Sequence, residues 1–242
     1  MFDKWRRRYA SYADQKKKRH HLRWIVLGVL IFYCSYIGLT GLVFSTRVLE
    51  SDTMQPALHR GDRLIVSSYA VYSLLPEGWR SHSLPFRRGN EVLVDTGFNA
   101  RWSILDWILD SGLRFLTIQR IGLLQREPCY IKRVIGLPGD EITMTNYVLR
   151  VKPKGDVYTF TEFELSDKTY DVTIPQVPAL WDASIPFSGN QETIVLQDDE
   201  CFVLSDDRSN TNDSRTWGPV PVDRIIGKAL FRYWPLNRFG RP

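Results

Sequence analysis

From Trp24 to Phe44 the chain runs 21 residues without a charge, and few folds can accept such a stretch. In a helix rising about 1.5 Å per residue it would reach roughly 31 Å, enough to cross the hydrocarbon core of a bilayer. Before it stand Lys4, Arg6, Arg7, Arg8, Lys16, Lys17, Lys18, Arg19 and Arg23, against Asp3 and Asp14 alone. The tail therefore carries +7 where the whole chain carries +5, and everything after residue 23 carries −2. The basicity is thus information about topology, not the footprint of a nucleic-acid partner, because basic flanks stay on the cytoplasmic side. The expected organisation is a basic cytoplasmic tail over 1–23, one transmembrane helix over 24–44, and an extracytoplasmic domain over 45–242.

A cleaved secretory signal is the competing reading. Such a signal has a shorter apolar core followed by a small-x-small site. Here the run is full length and leads into Ser45-Thr46-Arg47, so an uncleaved anchor is expected. Four histidines and three cysteines, with no C-x-x-C and no H-E-x-x-H, point to no metal site. Cys34 lies inside the apolar run. Cys129 and Cys201 would face a compartment that permits disulfides, and sequence leaves open whether they meet.

Past the anchor, short runs rich in β-branched and apolar residues alternate with turn residues. Residues 62–66, Glu91–Val94, Tyr130–Ile135, 147–151, 193–196, 201–204 and 225–232 read as strands. Gly61-Asp62, Gly89-Asn90 and Pro138-Gly139-Asp140 supply the turns. This spacing predicts a mainly β domain with a sandwich or barrel core. Residues 152–191, with four prolines among polar residues, read as a smaller inserted lobe. Residues 101–116 read as a helix, since Trp102, Leu105, Ile108, Leu109, Leu113 and Leu116 recur at helical spacing. It would pack on the β core or lie on the membrane surface, with Trp102 and Trp107 at the interface.

Two short blocks carry chemistry. The first is Ser51-Asp52-Thr53-Met54-Gln55-Pro56. The second is Lys132 inside Tyr130-Ile131-Lys132-Arg133-Val134-Ile135-Gly136, closed by Pro138-Gly139-Asp140. A hydroxyl is a poor nucleophile until a base takes its proton, and lysine is a base only when neutral. Free lysine titrates near 10.4, so a site must lower it by about 2–3 units, and burial among apolar side chains does that. On a strand, Lys132 would share a face with Tyr130 and Val134. The plain alternative is an edge-strand lysine pointing at solvent.

A third block runs Ser205-Asp206-Asp207-Arg208-Ser209-Asn210-Thr211-Asn212-Asp213-Ser214-Arg215-Thr216-Trp217-Gly218 and continues into Val220-Pro221. Together, in this order and behind an anchor, the blocks resemble type I signal peptidase, the membrane-bound protease that removes signal peptides from exported proteins. The resemblance covers roughly 45–66, 88–152 and 193–235. It implies an antiparallel β catalytic domain of that type and a hydroxyl–lysine dyad. Thr53 stands at the nucleophile position and Lys132 at the base. Ser51 and the backbone N–H of residue 53 form the oxyanion hole, Thr211 orients the lysine, and Asp213 and Arg215 are supporting charges. The implied substrates are signal peptides with small residues one and three positions before the cut. They would add along a strand edge near Tyr130 and Ile131, with Val48, Leu49 and Ile131 as pocket walls. The implied partners are signal peptides and the lipid bilayer, with no cofactor, metal or nucleic acid. The implied place is the inner (plasma) membrane, single-pass, with the catalytic domain periplasmic where an outer membrane exists.

Against the family pattern, Thr53 and Thr211 each replace serine, Ser205 replaces glycine, Ser209 replaces aspartate, and Glu50 stands where proline is usual. The threonine methyl restricts χ1 and crowds the attacking oxygen. Ser205 would cost backbone freedom if that position needs a positive φ. Two readings follow: an active threonine–lysine enzyme, for general export or one dedicated substrate such as a pilin-like protein, or a degenerate paralogue that binds signal peptides. A Ser–His–Asp triad through His59 or His82 has no G-x-S-x-G elbow to support it. Self-cleaving repressors share the dyad but lack a membrane anchor.

Overall fold

The computed structural model describes residues 2–38, 44–69, 84–95, 109, 113, 130–176 and 189–242. The chain divides into two units, Met1–Leu42 and Val43–Pro242. The first holds α1 (Phe2–Gly38), one helix of 37 residues. It joins the basic tail to the apolar run without a break. Trp24, Ile25, Val26, Leu27, Val29, Leu30, Ile31 and Phe32 are all exposed on it. No helix among the described residues is long and apolar enough to cross a membrane. Residues 39–43 of the apolar run lie outside the described residues, and Phe44, assigned above to the helix, instead opens the first strand by pairing with Ser67.

The second unit is mainly β. Its strands among the described residues are β1 (Phe44–Val48), β2 (Arg63–Ser68), β3 (Glu91–Val94), β4 (Tyr130–Gly136), β5 (Glu141–Thr145), β6 (Val148–Lys152), β7 (Phe160–Thr161), β8 (Gln191–Val195), β9 (Glu200–Leu204), β10 (Val220–Pro221) and β11 (Ile225–Trp234). Two single-turn helices interrupt them, α2 (Glu162–Leu165) and α3 (Ser214–Trp217). A seven-stranded sheet runs β1-β2-β11-β3-β4-β9-β10, and a four-stranded sheet runs β7-β6-β5-β8. All these strand pairs are antiparallel. The stretch expected to form an inserted lobe supplies β7 and α2, while 177–188 within it lie outside the described residues. So does the expected helix over 101–116, apart from Leu109 and Leu113, which are both helical.

The seven-stranded sheet positions the site because β4 is buried on both faces. Along it, Ile131 joins the cluster of Leu49, Met54, Leu58, Leu64 and Leu93. Val134 joins Val92, Val94, Cys201 and Val203, with Trp217 packed against them. Ile135 joins Phe202 and Leu204 to Ile142, Leu149 and Val151, which fastens the two sheets together. A lysine on a strand covered on both faces cannot point to solvent, and Lys132 is fully buried. Cys201 is a free buried thiol, pushed up to about 12 by burial, and Cys129 lies outside the described residues. One glycine is required by close approach: at Gly227 a Cβ would stand 2.3 Å from the Ser67 carbonyl oxygen of β2.

Candidate active site

Residues 49–62 form a loop pinched shut at its base. Leu49 N–H donates to Asp62 O and Gly61 N–H to Leu49 O, each at 2.8 Å. Gly61 closes the turn at φ 89°, a conformation that favours glycine. Met54 and Leu58 are fully buried and plug the loop into the core. Asp52 ties its exposed rim, accepting from Gln55 Nε2 at 2.7 Å and from Arg60 N–H at 3.1 Å. The Arg60 N–H, then Gln55, hold the Asp52 carboxyl below its ordinary value. Between these anchors stands Thr53, 6% exposed, with Ser51 Oγ 3.2 Å from its Oγ1. Asp62 accepts from Arg232 at 3.4 Å and Arg238 at 2.7 Å, while Arg238 also contacts the ring of His59.

Lys132 is fully buried in β4. Its Nζ lies 5.9 Å from the ring centroids of both Tyr130 and Trp217, whose tilted rings have centroids 5.6 Å apart. Its hydrogen bond goes to Ser205 Oγ at 2.8 Å. Burial lowers its pKa to about 8; Asp213 opposes this and Arg215 adds to it. A lysine base must be neutral, and at about 8 roughly a tenth of the amine is so at pH 7, rising to about half at pH 8.

The loop after β9 joins the two centres. Ser205 meets Lys132, and two residues on, Asp207 N–H donates to the Thr53 carbonyl at 3.1 Å. Thr53 and Lys132 are thus both bonded to the short segment 205–207. Asp213 braces the loop from below. It accepts from Ser205 N–H at 2.9 Å and from Arg215 Nε and Nη2 at 2.9 and 2.8 Å. Burial pushes the Asp213 carboxyl up, but the Arg215 fork and the backbone donors outweigh it and leave its pKa low. Arg215 also donates to Arg208 O at 2.8 Å and to Asn210 O.

The expected residues separate into groups. Thr53, Ser51, Lys132, Asp213 and Arg215 converge through these contacts. Thr211 does not reach the lysine. It is half-buried and bonds through its carbonyl, accepting from Asp213 N–H at 2.8 Å and Thr216 Oγ1 at 2.5 Å. Of the residues named as pocket walls, Leu49 and Ile131 sit together in the core cluster around Met54, and Val48 is exposed. Tyr130 is half-buried on the lysine's face. Ser205 has no positive φ, so the backbone cost expected for it does not arise. Sequence reasoning passed over Ser205 as the lysine's partner and Trp217 as its cover. The signal that finds Ser205 is register: Leu204 pairs with Arg133, which sets Ser205 beside Lys132.

On the opposite face, Arg133 forks onto Asp206 at 2.7 and 2.6 Å and reaches Glu91 and the Gly89 carbonyl at 2.7 and 2.6 Å. Glu91 in turn accepts from Lys168 at 3.2 Å. Arg208 grips Glu162 at 2.9 and 2.5 Å and the Tyr147 carbonyl at 2.7 Å. These buried pairs hold the two sheets and the loop without entering the lysine's pocket.

Residues 20–234 match the family described as signal peptidase, peptidase S26, and the chain belongs to that family. A signal peptidase I of Leptolyngbya laminosa is 30% identical over 84% of this chain and 75% of its own length. A probable signal peptidase I-1 of Synechocystis is 27% identical over 82% of this chain and 76% of its own. A signal peptidase IB of Staphylococcus aureus is 24% identical over 92% of this chain and 94% of its own.

Proposed function

We propose that this signal-peptide-removing endopeptidase works through a threonine–lysine pair, with Thr53 as nucleophile and Lys132 as general base. The observation that carries the reading is the shared docking of both residues on 205–207, with the lysine amine buried beside the rings of Tyr130 and Trp217. Neutral Lys132 takes the proton of Thr53 Oγ1 as that oxygen attacks the scissile carbonyl carbon. The oxyanion is met by the residue 53 N–H and Ser51 Oγ, donors typically worth a few kcal/mol each in such sites. The tetrahedral adduct collapses, protonated Lys132 gives its proton to the departing amine, and the mature chain leaves. The signal peptide stays as an ester on Thr53. Lys132 then takes a proton from water as it attacks the ester; the adduct collapses, Lys132 returns that proton to Thr53 Oγ1, and the signal peptide leaves with a new carboxyl group. The residues present call for no cofactor.

The substrate is read as an extended segment with small residues one and three positions before the cut. β4 pairs with β9 only from Arg133 onward, so among the described residues Tyr130–Lys132 are laddered on the β3 side alone. An added strand there would present alternate side chains to the site. Val48 and Tyr130 are assigned to its walls, with Leu49 and Ile131 behind them in the core cluster around Met54. We read the seven-stranded sheet as the catalytic core and the second sheet with 152–191 as the smaller lobe. α1, with its basic start and exposed apolar side chains, is read as the single-pass anchor in the plasma membrane, tail in the cytoplasm and domain outside.

The test is cleavage of a signal-bearing preprotein by the detergent-purified chain beside Thr53→Val and Lys132→Met, with mass spectrometry of the new N-terminus. Cleavage after a small-x-small site, lost in both variants, is expected. Cleavage surviving in Thr53→Val would name another nucleophile. Binding without cleavage by the intact chain would mark a degenerate paralogue.

A further inference from the structure

We propose that Ser205, and not the hydroxyl at 211, is the residue that positions Lys132 for proton transfer in this chain. The assignment rests on the reading of Lys132 as the base. Ser205 Oγ is the hydrogen-bond acceptor of Lys132 Nζ among the described residues, at 2.8 Å, and both residues are fully buried. The contact is built, not incidental. Ser205 directly follows β9, whose Leu204 is in register with Arg133 of β4. Its N–H is fixed on Asp213 Oδ2 at 2.9 Å, and Asp213 is gripped in turn by Arg215. Thr211 lies further along the same loop and gives it only backbone bracing.

The chemistry explains why one acceptor is enough. A neutral lysine amine has two N–H bonds and one lone pair. With one N–H given to Ser205, rotation about the last carbon–nitrogen bond is restricted and the lone pair is left for the proton of Thr53. The threonine nucleophile makes this positioning matter more, because its methyl limits χ1 and the base must meet an oxygen that cannot swing freely. The family pattern has glycine at 205 and serine at 211. This chain has a hydroxyl at both, and the one that meets the amine stands at the rigid end of a strand.

The test uses the full chain in detergent with a preprotein substrate, and compares Ser205→Gly, Thr211→Ala and the double variant Ser205→Gly/Thr211→Ser. Ser205→Gly is expected to lose kcat on the order of 10²-fold with KM little changed. The acid limb of its pH profile should move to lower pH, because the charged amine has lost an acceptor. Thr211→Ala should lose at least about tenfold less, and the double variant should regain part of the rate. A purely structural Ser205 would leave the acid limb in place. Melting curves set an assay temperature at which every variant is folded, and Ser205→Ala serves as the second probe of the same hydroxyl. Wild-type kcat and an unmoved limb in Ser205→Gly, or a larger loss in Thr211→Ala, would overturn the assignment. Lys132→Met separates the failures: if it is inactive while Ser205→Gly is unaffected, only the Ser205 assignment falls. Activity in Lys132→Met removes the base itself.

Discussion

Lys132 and Arg133 are adjacent on β4, both buried, both cationic in their ordinary state, and the chain treats them in opposite ways. Arg133 meets two carboxylates and a carbonyl, so although burial alone would lower its pKa, those partners hold it higher still. Lys132 meets one neutral hydroxyl and two aromatic rings, and burial brings it down to about 8. Strand geometry makes this possible, since successive side chains leave opposite faces. A structural cation and a reactive amine can therefore sit one residue apart without sharing partners. The difference is one of direct partners: carboxylates bonded to Arg133 hold it charged, while Lys132 is bonded to a hydroxyl and burial outweighs the pull of Asp213, Asp206 and Asp207.

The comparison breaks hardest at its two members. Lys132→Met is expected to lower kcat by about 10²–10⁴-fold, the range for removing a general base. The same variant should be more stable than the parent below pH 8. The folded amine titrates near 8 against 10.5 when unfolded. The native state therefore binds fewer protons between these values, and stability rises with pH across that window. Below it the cost of burying the charge, about 3 kcal/mol, is fully present, and methionine removes it. Thermal melts at pH 7 and pH 10 read the difference, which should shrink at the higher pH. Arg133→Met should do the reverse, losing about 3–5 kcal/mol because Asp206 and Glu91 are left buried and unpaired. Denaturant unfolding checks it.

Smaller effects sharpen the contrast. The kcat/KM of the intact enzyme should rise about tenfold per pH unit on the acid side and level off near 8 as Lys132 loses its proton. A profile flat across pH 6–9 would deny the amine its role. Asp213→Asn removes the carboxylate that most opposes the lowering of Lys132. Its acid limb should shift to lower pH by a fraction of a unit, read on the same substrate.

Much of this was legible before any coordinates. Runs such as Glu91–Val94 and Tyr130–Ile135 carry β-branched residues between turn glycines, and they are strands with nearly those bounds. β1 was hidden because Phe44 reads as the end of the apolar run, and only its ladder with Ser67 assigns it to the sheet. In the site, Thr53 and Lys132 stand out because their chemistry needs particular neighbours in sequence. Ser205 did not, because its partner is 73 residues away and the link is a matter of register. The sequence left Lys132 between a buried base and an edge-strand lysine, and the fold buries it fully.

The loop that holds Thr53 is also closed from afar. Asp62, at its base, is gripped by Arg232 and Arg238, which lie 170 and 176 residues further along the chain. Closing the base of the Thr53 loop therefore depends on contacts between parts of the chain far apart in sequence, so its geometry is set by the whole domain and not by the loop alone.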